Sequence, residues 1–518
     1  MNVEISRGTY GVISIKNIDG INYANKSIVC KDISTWDRWY YWTVPFDFIN
    51  ELDCYKRINH PNVLHLYDYN VNGKSYNLTL ELGISDLAAQ IKDLDQNDKM
   101  NIMYQIVTGL LTINNQSILT ADLKTKNIIY FEDGRICLCD FGLSQINSCT
   151  SKKNIWKSKN LYTIDYRSPE ILNEDLDIDI EKSEAWALGI ILYEIETNSD
   201  LYWPSVDGAI DFWIPENYEK STSLELYNRI KESLRYQLDS TYERKLHFSK
   251  DNDLDHLIEN LLQFDPKKRM SIGEAMYHIY FDRIELNKYF LKARPIIYNC
   301  EEKILSRQYT PSMYQNINSH WKKIVCDPKQ NSSYYRFFKN TFEIIPSIRI
   351  FIFAFQLMMI YFEDETDQKY EAGYSNLFYV ALILSIKILD KNYLFRNQTL
   401  KIIDLISNKM KKSHFKNVMD EFVMRADGKL IYSTPLDLID YYQKSNRKIY
   451  SKIFGLILNG FGYKYDIKTI ALYSIGSSDN YSDLPMLKCL ENDINNEYFD
   501  SVSKFESIVK NSNIIALE

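Results

Sequence analysis

The stretch LTADLKTKNIIYFEDGRICLCDFG, residues 119–142, gives the clearest structural signal in the chain. Its loop 122–127 holds an acidic residue, two lysines and an asparagine, and leads directly into the apolar run 128–130. A second strand-like run, 135–139, ends at Asp140-Phe141-Gly142. Short apolar runs bounded by polar turn residues are typical of strands. The pattern predicts a strand–loop–strand unit that brings acidic, basic and amide side chains together.

Phosphoryl transfer is the chemistry that this combination of side chains serves. It needs a carboxylate to orient the attacking hydroxyl, oxygen atoms to hold Mg²⁺ and a lysine to position phosphates. The candidates here are Asp122, Lys124, Asn127 and Asp140. We therefore expect a phosphate-handling site at these loops.

A glycine-containing turn near the start of the chain fits the same chemistry. Residues 6–12 read SRGTYGV and lie between two strand-like runs. Glycines in such a turn let backbone N–H groups approach phosphate oxygens closely. The spacing is that of G-x-G-x-x-G with Ser6 in the first place. Taken alone, a plain hairpin explains it equally well.

Lys31 and Glu51 are the candidates for a supporting ion pair. Lys31 ends the apolar run Ile28-Val29-Cys30, and a buried strand seldom ends on lysine without a partner. Glu51 lies 20 residues later on a helix predicted for 46–58 from its apolar spacing. Either residue alone is more often a solvated surface charge. Together they predict a Lys31–Glu51 pair.

The order of these motifs resembles that of eukaryotic protein kinases. Residues 168–170 (SPE) resemble the A-P-E motif, residues 186–189 (WALG) the buried helix that follows, and residues 262–269 the late arginine motif. The resemblance implies an ion pair between Arg269 and Glu170. It also implies a two-lobed, α+β kinase fold.

Site residues follow from this resemblance position by position. Lys31 would hold the α- and β-phosphates of ATP, Glu51 would orient Lys31, and Asp122 would be the catalytic base. Lys124 would neutralise the γ-phosphate, and Asn127 with Asp140 would bind Mg²⁺. The residues implied to bind ATP are Ser6, Gly8, Gly11, Val12, Val29, Lys31, Leu80, Glu81, Gly83 and Ile129.

Among kinases, the chain is most similar to the cyclin-dependent kinases. The loop 8–12, the gatekeeper and hinge segment 80–87 and the substrate-proximal loop 163–170 carry the likeness. A threonine at 163 accompanies Ser/Thr specificity in that family, and the loop disfavours a kinase of small molecules or lipids. The expected regulatory-helix sequence is replaced by residues 44–51 (VPFDFINE), which leaves the type of activating partner open.

Several departures raise a pseudokinase scaffold as the alternative to an active enzyme. Thr120-Ala121 stands where the family has His-Arg before the catalytic Asp, and Glu184 stands where a supporting Asp is usual. Both changes affect one anchor of the loop, so we interpret them as linked. The required groups Lys31, Glu51, Asp122, Asn127 and Asp140 are present, which favours an active Ser/Thr kinase. Ser158, Thr9 and Tyr10 occupy regulatory phosphosite positions, with ordinary loop residues as the alternative.

The expected domains are a kinase domain at 1–285, with an N-lobe at 1–82 and a C-lobe at 83–285, then a linker at 286–314. Residues 315–518 are predicted to be all-helical. Ala381 and Ser385, four apart, allow close helix packing and resemble a cyclin-box helix. A cyclin-box-like domain and a generic helical bundle both remain open for this part.

An aromatic-rich segment at 36–48 suggests where the two halves meet. Aromatic side chains exposed together usually mark an interface. In the resembling family a cyclin docks here, so we expect residues 315–518 to dock on 36–51 in cis and hold Glu51 toward Lys31. A local satellite core is the alternative explanation for these rings.

Composition excludes several other classes. The 518 residues contain 61 Lys+Arg against 69 Asp+Glu, a net charge of −8, which argues against bulk nucleic-acid binding. The most apolar run, 350–362, is shorter than the roughly 20 residues of a membrane span. Scattered cysteines and motif sequence that begins almost at Met1 predict a cytoplasmic or nuclear protein that is not secreted.

Overall fold

The computed structural model describes most of the first 284 residues and the helices that follow. The described ranges are 3–8, 11–29, 44–72, 75–146, 163–175, 178–201, 203, 223–241, 245–284, 300–306, 331–361, 374–389, 396–407, 412–432, 434–442, 447–458, 465–475, 490 and 506. Lys31, the segment 36–43, Thr9, Tyr10 and Ser158 lie outside them.

An antiparallel sheet of five strands forms the first lobe. Its strands are β1 (Val3–Gly8), β2 (Gly11–Ile18), β3 (Ile21–Val29), β4 (Leu66–Asn72) and β5 (Ser75–Leu80), in the order β1-β2-β3-β5-β4. Helix α1 (Phe46–Arg57) lies between β3 and β4 in the sequence and buries Phe48, Leu52 and Tyr55. Their spacing of four and three residues is the helical period, so one apolar face packs on the core.

The second lobe is mainly helical. Its longest helices are α3 (Gln96–Asn115) and α5 (Ile180–Thr197), and both are capped by an aspartate just before their first residue. Its other elements are α2 (Leu87–Gln90), α4 (Pro169–Leu172), α6 (Ser223–Ser233), α7 (Arg235–Leu238), α8 (Asn252–Leu261), α9 (Ile272–Met276) and the short strands β6 (Ser85–Asp86), β7 (Ile118–Leu119), β8 (Ile128–Tyr130), β9 (Ile136–Leu138) and β10 (Gln145–Ile146). The predicted strand–loop–strand unit is β8 and β9, which pair antiparallel.

Among the described residues after 284, all the regular elements are helices. The elements are α10 (Cys300–Ser306), α11 (Asn331–Ile344), α12 (Ile348–Tyr361), α13 (Tyr374–Leu389), α14 (Arg396–Ser407), α15 (Lys412–Arg425), α16 (Pro435–Tyr441), α17 (Arg447–Leu458) and α18 (Ile467–Ile475). Edge-to-face contacts among the rings of Phe342, Phe351 and Phe378 join α11, α12 and α13 at centroid distances of 5.1 and 5.5 Å. A sheet-containing lobe followed by helices confirms the expected α+β class.

Helix α10 lies inside the range predicted as a linker. Lys303 Nζ is 3.1 Å from Glu181 Oε2 at the start of α5, and Ser306 Oγ donates to the carbonyl oxygen of Asn115 at 3.3 Å. On its other side, Glu301 pairs with Lys468 of α18 at 2.6 Å. The range therefore contains an ordered helix with contacts on both sides. The domain boundaries themselves stay a prediction.

The turn at residues 426–432, which follows α15, contacts the outer face of α1. Arg57 Nη2 donates to the carbonyl oxygen of Ile431 at 2.8 Å, and the amide of Ile431 donates to Asp53 Oδ1 at 3.0 Å. Lys56 pairs with Asp427 at 2.7 Å. Side chains of one helix thus bind both backbone groups of a single residue almost 380 positions away.

Helix α15 also contacts the sheet. The hydroxyl of Tyr76 in β5 donates to Asp420 Oδ1 at 2.7 Å, and Lys416 Nζ lies 5.0 Å from the centre of the same ring. These contacts and those of the 426–432 turn fall on residues 52–57 and on β5, beside the predicted 36–51. Within the described ranges, every helix is too short or too polar to cross a bilayer.

Candidate active site

Lys26 in β3 is the lysine of the site. Its Nζ lies 2.6 Å from Glu51 Oε1 of α1 and 2.8 Å from Asp140 Oδ1 after β9. Strand β3 is central in the sheet, pairing Lys26 with Ile13 on one side and with Leu78 on the other. The β-strand therefore fixes the lysine between the two carboxylates.

The predicted Lys31–Glu51 pair is corrected by this geometry, since Glu51 pairs with Lys26 and Lys31 lies outside the described residues. The cause was the strand's extent: β3 begins at Ile21, so Lys26 sits within it. Its sequence, Ala24-Asn25-Lys26, keeps the Ala and Lys of the kinase motif V-A-I-K. That spacing was the signal that could have found it.

Burial and charge act in opposite directions at these three groups. Burial alone would lower the pKa of Lys26, but the carboxylates of Glu51 and Asp140 outweigh it and raise that pKa. Burial raises the pKa of Glu51 to about 7, although Lys26 works to lower it. Burial would also raise the pKa of Asp140, but Lys26 and then Lys124 hold it below its usual value. Asp140 therefore stays ionised as a ligand must.

The catalytic-loop candidates converge on Asp122. Its Oδ2 accepts from Lys124 Nζ at 2.6 Å and from Asn127 Nδ2 at 3.1 Å. Its Oδ1 accepts from the hydroxyl and the amide of Thr163, at 3.0 and 3.2 Å. A short 3₁₀ turn, Thr125–Asn127, brings Asn127 back toward Asp122. The loop thus holds one carboxylate by both oxygens.

Asn127 and Asp140 fit a divalent cation. Asn127 Nδ2 donates hydrogen bonds to the carbonyl oxygen and to Oδ2 of Asp122. The side-chain amide oxygen of Asn127 is therefore the atom that can coordinate a metal ion. The Asp140 side chain is 30% exposed, more open than its buried partners Lys26 and Glu51. Mg²⁺ is commonly bound through one or two protein oxygens, with substrate phosphates and water completing its shell. The described residues hold no cluster of three or more His, Cys, Asp or Glu that would form a closed metal cage.

Arg135 holds the hinge segment through its contact with Glu81, and sequence reasoning missed this residue. The guanidinium donates to both carboxylate oxygens of Glu81, with Nη1 3.2 Å from Oε2, and stacks 4.0 Å from the ring of Phe131. Gly83 has no room for a side chain, because a Cβ there would lie 2.2 Å from Cγ2 of Ile129. Leu80 ends β5 and is buried.

The remaining ATP-site candidates lie on the first three strands. Ser6 and Gly8 are in β1, Gly11 and Val12 begin β2, and Val29 ends β3. A Cβ on Gly11 would lie 2.7 Å from the carbonyl oxygen of Ser27, so only glycine fits this close strand approach. Their roles toward ATP stay a prediction.

The departures near the catalytic loop form one connected unit, as interpreted from the sequence. Glu184 of α5 is fully buried and its Oε1 accepts from the amide and the hydroxyl of Thr120, at 2.6 and 2.5 Å. Its Oε2 accepts from Asn114 Nδ2 at 2.9 Å. The small Ala121 that follows has a φ of 57° and no exposed surface. Glu184 and Thr120 therefore together form the anchor of the catalytic loop, in place of the usual Asp and His-Arg.

The implied pair between Arg269 and Glu170 is present and buried. Arg269 Nη1 and Nη2 donate to the two Glu170 carboxylate oxygens, at 2.7 and 2.9 Å. Burial would raise the pKa of Glu170, but Arg269 outweighs it and lowers that pKa. The pair joins α4 to the segment after α8 and supports the loop that begins at Thr163.

A family model matches the two lobes that carry the site. Residues 2–281 match the family described as protein kinase domain. The putative sperm motility kinase W of Mus musculus is 26% identical over 242 residues, 46% of this chain and 42% of that protein. Mitogen-activated protein kinase 14 of Oryza sativa subsp. japonica is 27% identical over 299 residues, 54% of this chain and 53% of that protein.

Mitogen-activated protein kinase 17 of the same plant is 26% identical over 311 residues, 56% of this chain and 52% of that protein. The chain thus spans about half the length of the curated relatives it matches. Because the domain match covers more than half of the chain, and the implied Arg269–Glu170 pair is present, the chain belongs to the protein kinase family.

Proposed function

We propose that this protein is an ATP-dependent Ser/Thr protein kinase, similar to the cyclin-dependent kinases, whose C-terminal helices activate it in cis. The observation that carries the proposal is the convergence of Lys26, Glu51 and Asp140 beside Asp122, Lys124 and Asn127. A buried lysine between two carboxylates, next to a loop with a carboxylate, a lysine and an asparagine, supplies the phosphate-positioning, metal-binding and hydroxyl-orienting groups that phosphoryl transfer uses. The cytoplasmic or nuclear location stays a prediction.

The reaction assigns one task to each group. The hydroxyl oxygen of a substrate Ser or Thr forms a bond to the γ-phosphorus of ATP, the bond to the ADP oxygen breaks, and the hydroxyl proton passes to Asp122. Lys124, 2.6 Å from Asp122, neutralises charge on the transferred group, and Lys26 positions the other phosphates. A divalent cation at Asn127 and Asp140 would screen the phosphate charge.

Thr163 supports a Ser/Thr rather than a small-molecule substrate. Its hydroxyl bonds both Asp122 Oδ1 and Lys124 Nζ at 3.0 Å, so the start of the substrate-proximal loop is tied directly to the base. A protein chain lying along residues 163–170 would present its hydroxyl at this point. Holding the substrate hydroxyl in the reactive geometry is the main way in which such a site accelerates phosphoryl transfer.

Activation in cis is supported by the contacts of the 426–432 turn. Helix α1 carries Glu51 on its inner face and Asp53, Lys56 and Arg57 toward the turn. Holding the outer face restricts rotation of the helix and so holds Glu51 on Lys26. A tether within one chain raises the effective concentration to roughly millimolar, so a modest interface suffices.

A cyclin-like architecture for the helical part is proposed on its central helix pair. Ala381 and Ser385 of α13 are fully buried, and Ser385 Oγ donates to the carbonyl oxygen of Ala381 at 2.7 Å. Small residues four apart let α12 approach α13 closely. A generic bundle with the same small residues is the alternative.

The proposal is tested with full-length protein, Mg²⁺, labelled ATP and a generic basic protein substrate, followed by phosphoamino-acid analysis. Asp122→Asn is expected to reduce phosphorylation by about 10²–10⁴-fold, whereas Asp93→Asn, an exposed control, is expected to leave it unchanged. Phosphoserine or phosphothreonine supports the proposal. Nucleotide binding without any transfer, or an active Asp122→Asn variant, would instead favour a pseudokinase scaffold.

A further inference from the structure

Helix α1 makes a second set of contacts, on its inner face, with the chain just after Asp140. Asn50 is buried, and its Nδ2 donates to the carbonyl oxygens of Gly142 and Ser144, at 3.1 and 3.0 Å. One side-chain amide therefore uses both hydrogens on two backbone acceptors of the same turn. This geometry defines where residues 142–144 lie relative to Glu51, the next residue of the helix.

Two neighbours on the same helix face strengthen this contact. Cys54 Sγ lies 3.3 Å from Ser144 Oγ, and a Cβ on Gly142 would lie 3.5 Å from the Cβ of Asp47. Residues 47, 50 and 54 are spaced by three and four, so they share one face of the helix. The turn after Asp140 is thus packed along two turns of α1.

Asp140 needs such support because of its backbone. Its φ is 64°, in the left-handed region that non-glycine residues occupy only when their surroundings impose it. The side chain is held by Lys26 at 2.8 Å, and the amide donates to the hydroxyl of Tyr55 at 3.4 Å. Asn50 holds the chain on the C-terminal side, two and four residues further on.

We propose that Asn50 is a positioning residue for the metal ligand Asp140. By fixing the turn 142–144 to α1, it keeps Asp140 in its left-handed conformation and makes the metal site move with the helix that carries Glu51. The inference rests on the proposed function, since it concerns how that site holds its divalent cation. It assigns to Asn50 a task in metal affinity beyond packing.

The test compares the thermal shift caused by ADP alone with that caused by ADP plus Mg²⁺, in full-length protein. Asn50→Asp keeps the shape of the side chain but replaces the donor with an oxygen that faces two carbonyl oxygens. We expect the shift with ADP alone to be retained and the Mg²⁺ concentration for the half-maximal additional shift to rise at least about tenfold. Asn228→Asp, at an exposed position of α6, is the matched control.

Two outcomes would overturn the proposal. A reduced melting temperature with an unchanged Mg²⁺ dependence would show that Asn50 serves structure only and would overturn it. Asn50→Ala, which removes the donor without introducing repulsion, gives the same readout if Asn50→Asp fails to fold. If the wild-type protein shows an ADP shift without any Mg²⁺ increment, the proposed function fails and this inference fails with it.

Discussion

Lys26 and Glu51 form an ion pair whose Nζ–Oε1 distance is 2.6 Å, at a point where the Glu51 side chain has no exposed surface. The second oxygen, Glu51 Oε2, is buried and has no hydrogen-bond partner among the described residues. Burial raises the pKa of Glu51 to about 7, so its charge depends on the lysine beside it. The pair therefore makes the position of α1 a condition for an ordered phosphate site.

Replacing Lys26 tests this relationship directly. Lys26→Met removes the cation between Glu51 and Asp140, so phosphates lose their positioning group and Glu51 becomes protonated. We expect kcat/KM for ATP to fall by about 10²–10³-fold. Lys16→Met, on the neighbouring strand β2, is the control and should change the rate by less than about twofold. A rate lost with Lys31→Met and retained with Lys26→Met would restore the assignment made from sequence.

The two lysines show what the sequence can and cannot predict. The sequence predicts that Asp122, Lys124 and Asn127 lie together because they fall within six positions, and local contacts such as Asn127 to Asp122 join them in the structure. The sheet lysine depended on where β3 begins, and apolar content alone placed the strand too late. Since strand alternation decides which residue points inward, an error in the strand boundary chose the wrong lysine.

Contacts across long separations were beyond sequence reasoning. Nothing in the composition of 426–432 indicates that the backbone of Ile431 is bound by Asp53 and Arg57. Likewise the sequence places Arg135 at the start of a predicted strand and contains no signal for the contact of its guanidinium with Glu81. Backbone acceptors carry no residue identity, so a pattern of side chains cannot reveal them.

Glu194 gives the stability of the second lobe a pH dependence. It accepts from the hydroxyl of Tyr166 at 2.9 Å, and burial raises its pKa from 4.5 to about 8. Because the folded pKa is the higher one, its contribution is full below about pH 4.5 and is lost as the pH rises to about 8. Glu194→Gln cannot ionise and should avoid that loss.

The expected result is a melting-temperature difference between Glu194→Gln and wild type that grows steadily between about pH 5 and pH 8, by about 2–4 °C for each kcal/mol. Differential scanning fluorimetry across that range measures it. Glu132→Gln, an exposed carboxyl, is the matched control. A difference that does not change with pH would contradict a raised pKa at Glu194.

The pair of Arg269 with Glu170 should dominate the stability of the segment around it. Arg269→Met leaves a buried carboxylate without its partner, which costs about 3–5 kcal/mol. The surface pair of Arg283 with Asp251, at 2.9 Å, is the control, and Arg283→Met should cost about 0–1 kcal/mol. Urea unfolding of both variants measures the difference. If both variants lose the same unfolding free energy, burial of the Arg269–Glu170 pair does not increase its contribution to stability.

The unusual loop anchor predicts coupling between Glu184 and Thr120. Glu184→Asp shortens the side chain by one methylene and draws its carboxylate away from the Thr120 amide, now 2.6 Å distant. We expect each of Glu184→Asp and Thr120→Val to lower kcat about tenfold, with the double variant no worse than either alone. A double-mutant cycle on kcat measures the coupling. Strictly additive losses would show that the two residues act separately.

Gly428 offers the sharpest test of activation in cis. It has a φ of +76°, and a Cβ there would lie 2.5 Å from Cγ of Leu52 on α1. Gly20 has a similar φ of +84° but open space around it. Alanine at either site therefore carries a similar backbone strain of about 1–2 kcal/mol, and only Gly428→Ala pushes the turn off the helix.

We expect Gly428→Ala to lower kinase activity about tenfold or more, since 1.4 kcal/mol of lost α1 positioning already corresponds to a factor of ten. Gly20→Ala introduces a similar backbone strain, so it should lower the melting temperature about as much as Gly428→Ala does, but it should retain the kinase activity. Adding Leu52→Ala to Gly428→Ala removes the clashing methyl groups and should recover part of the rate. If both glycine variants lose activity equally, the turn contributes through general stability, and the proposal that it acts through Leu52 and α1 is wrong.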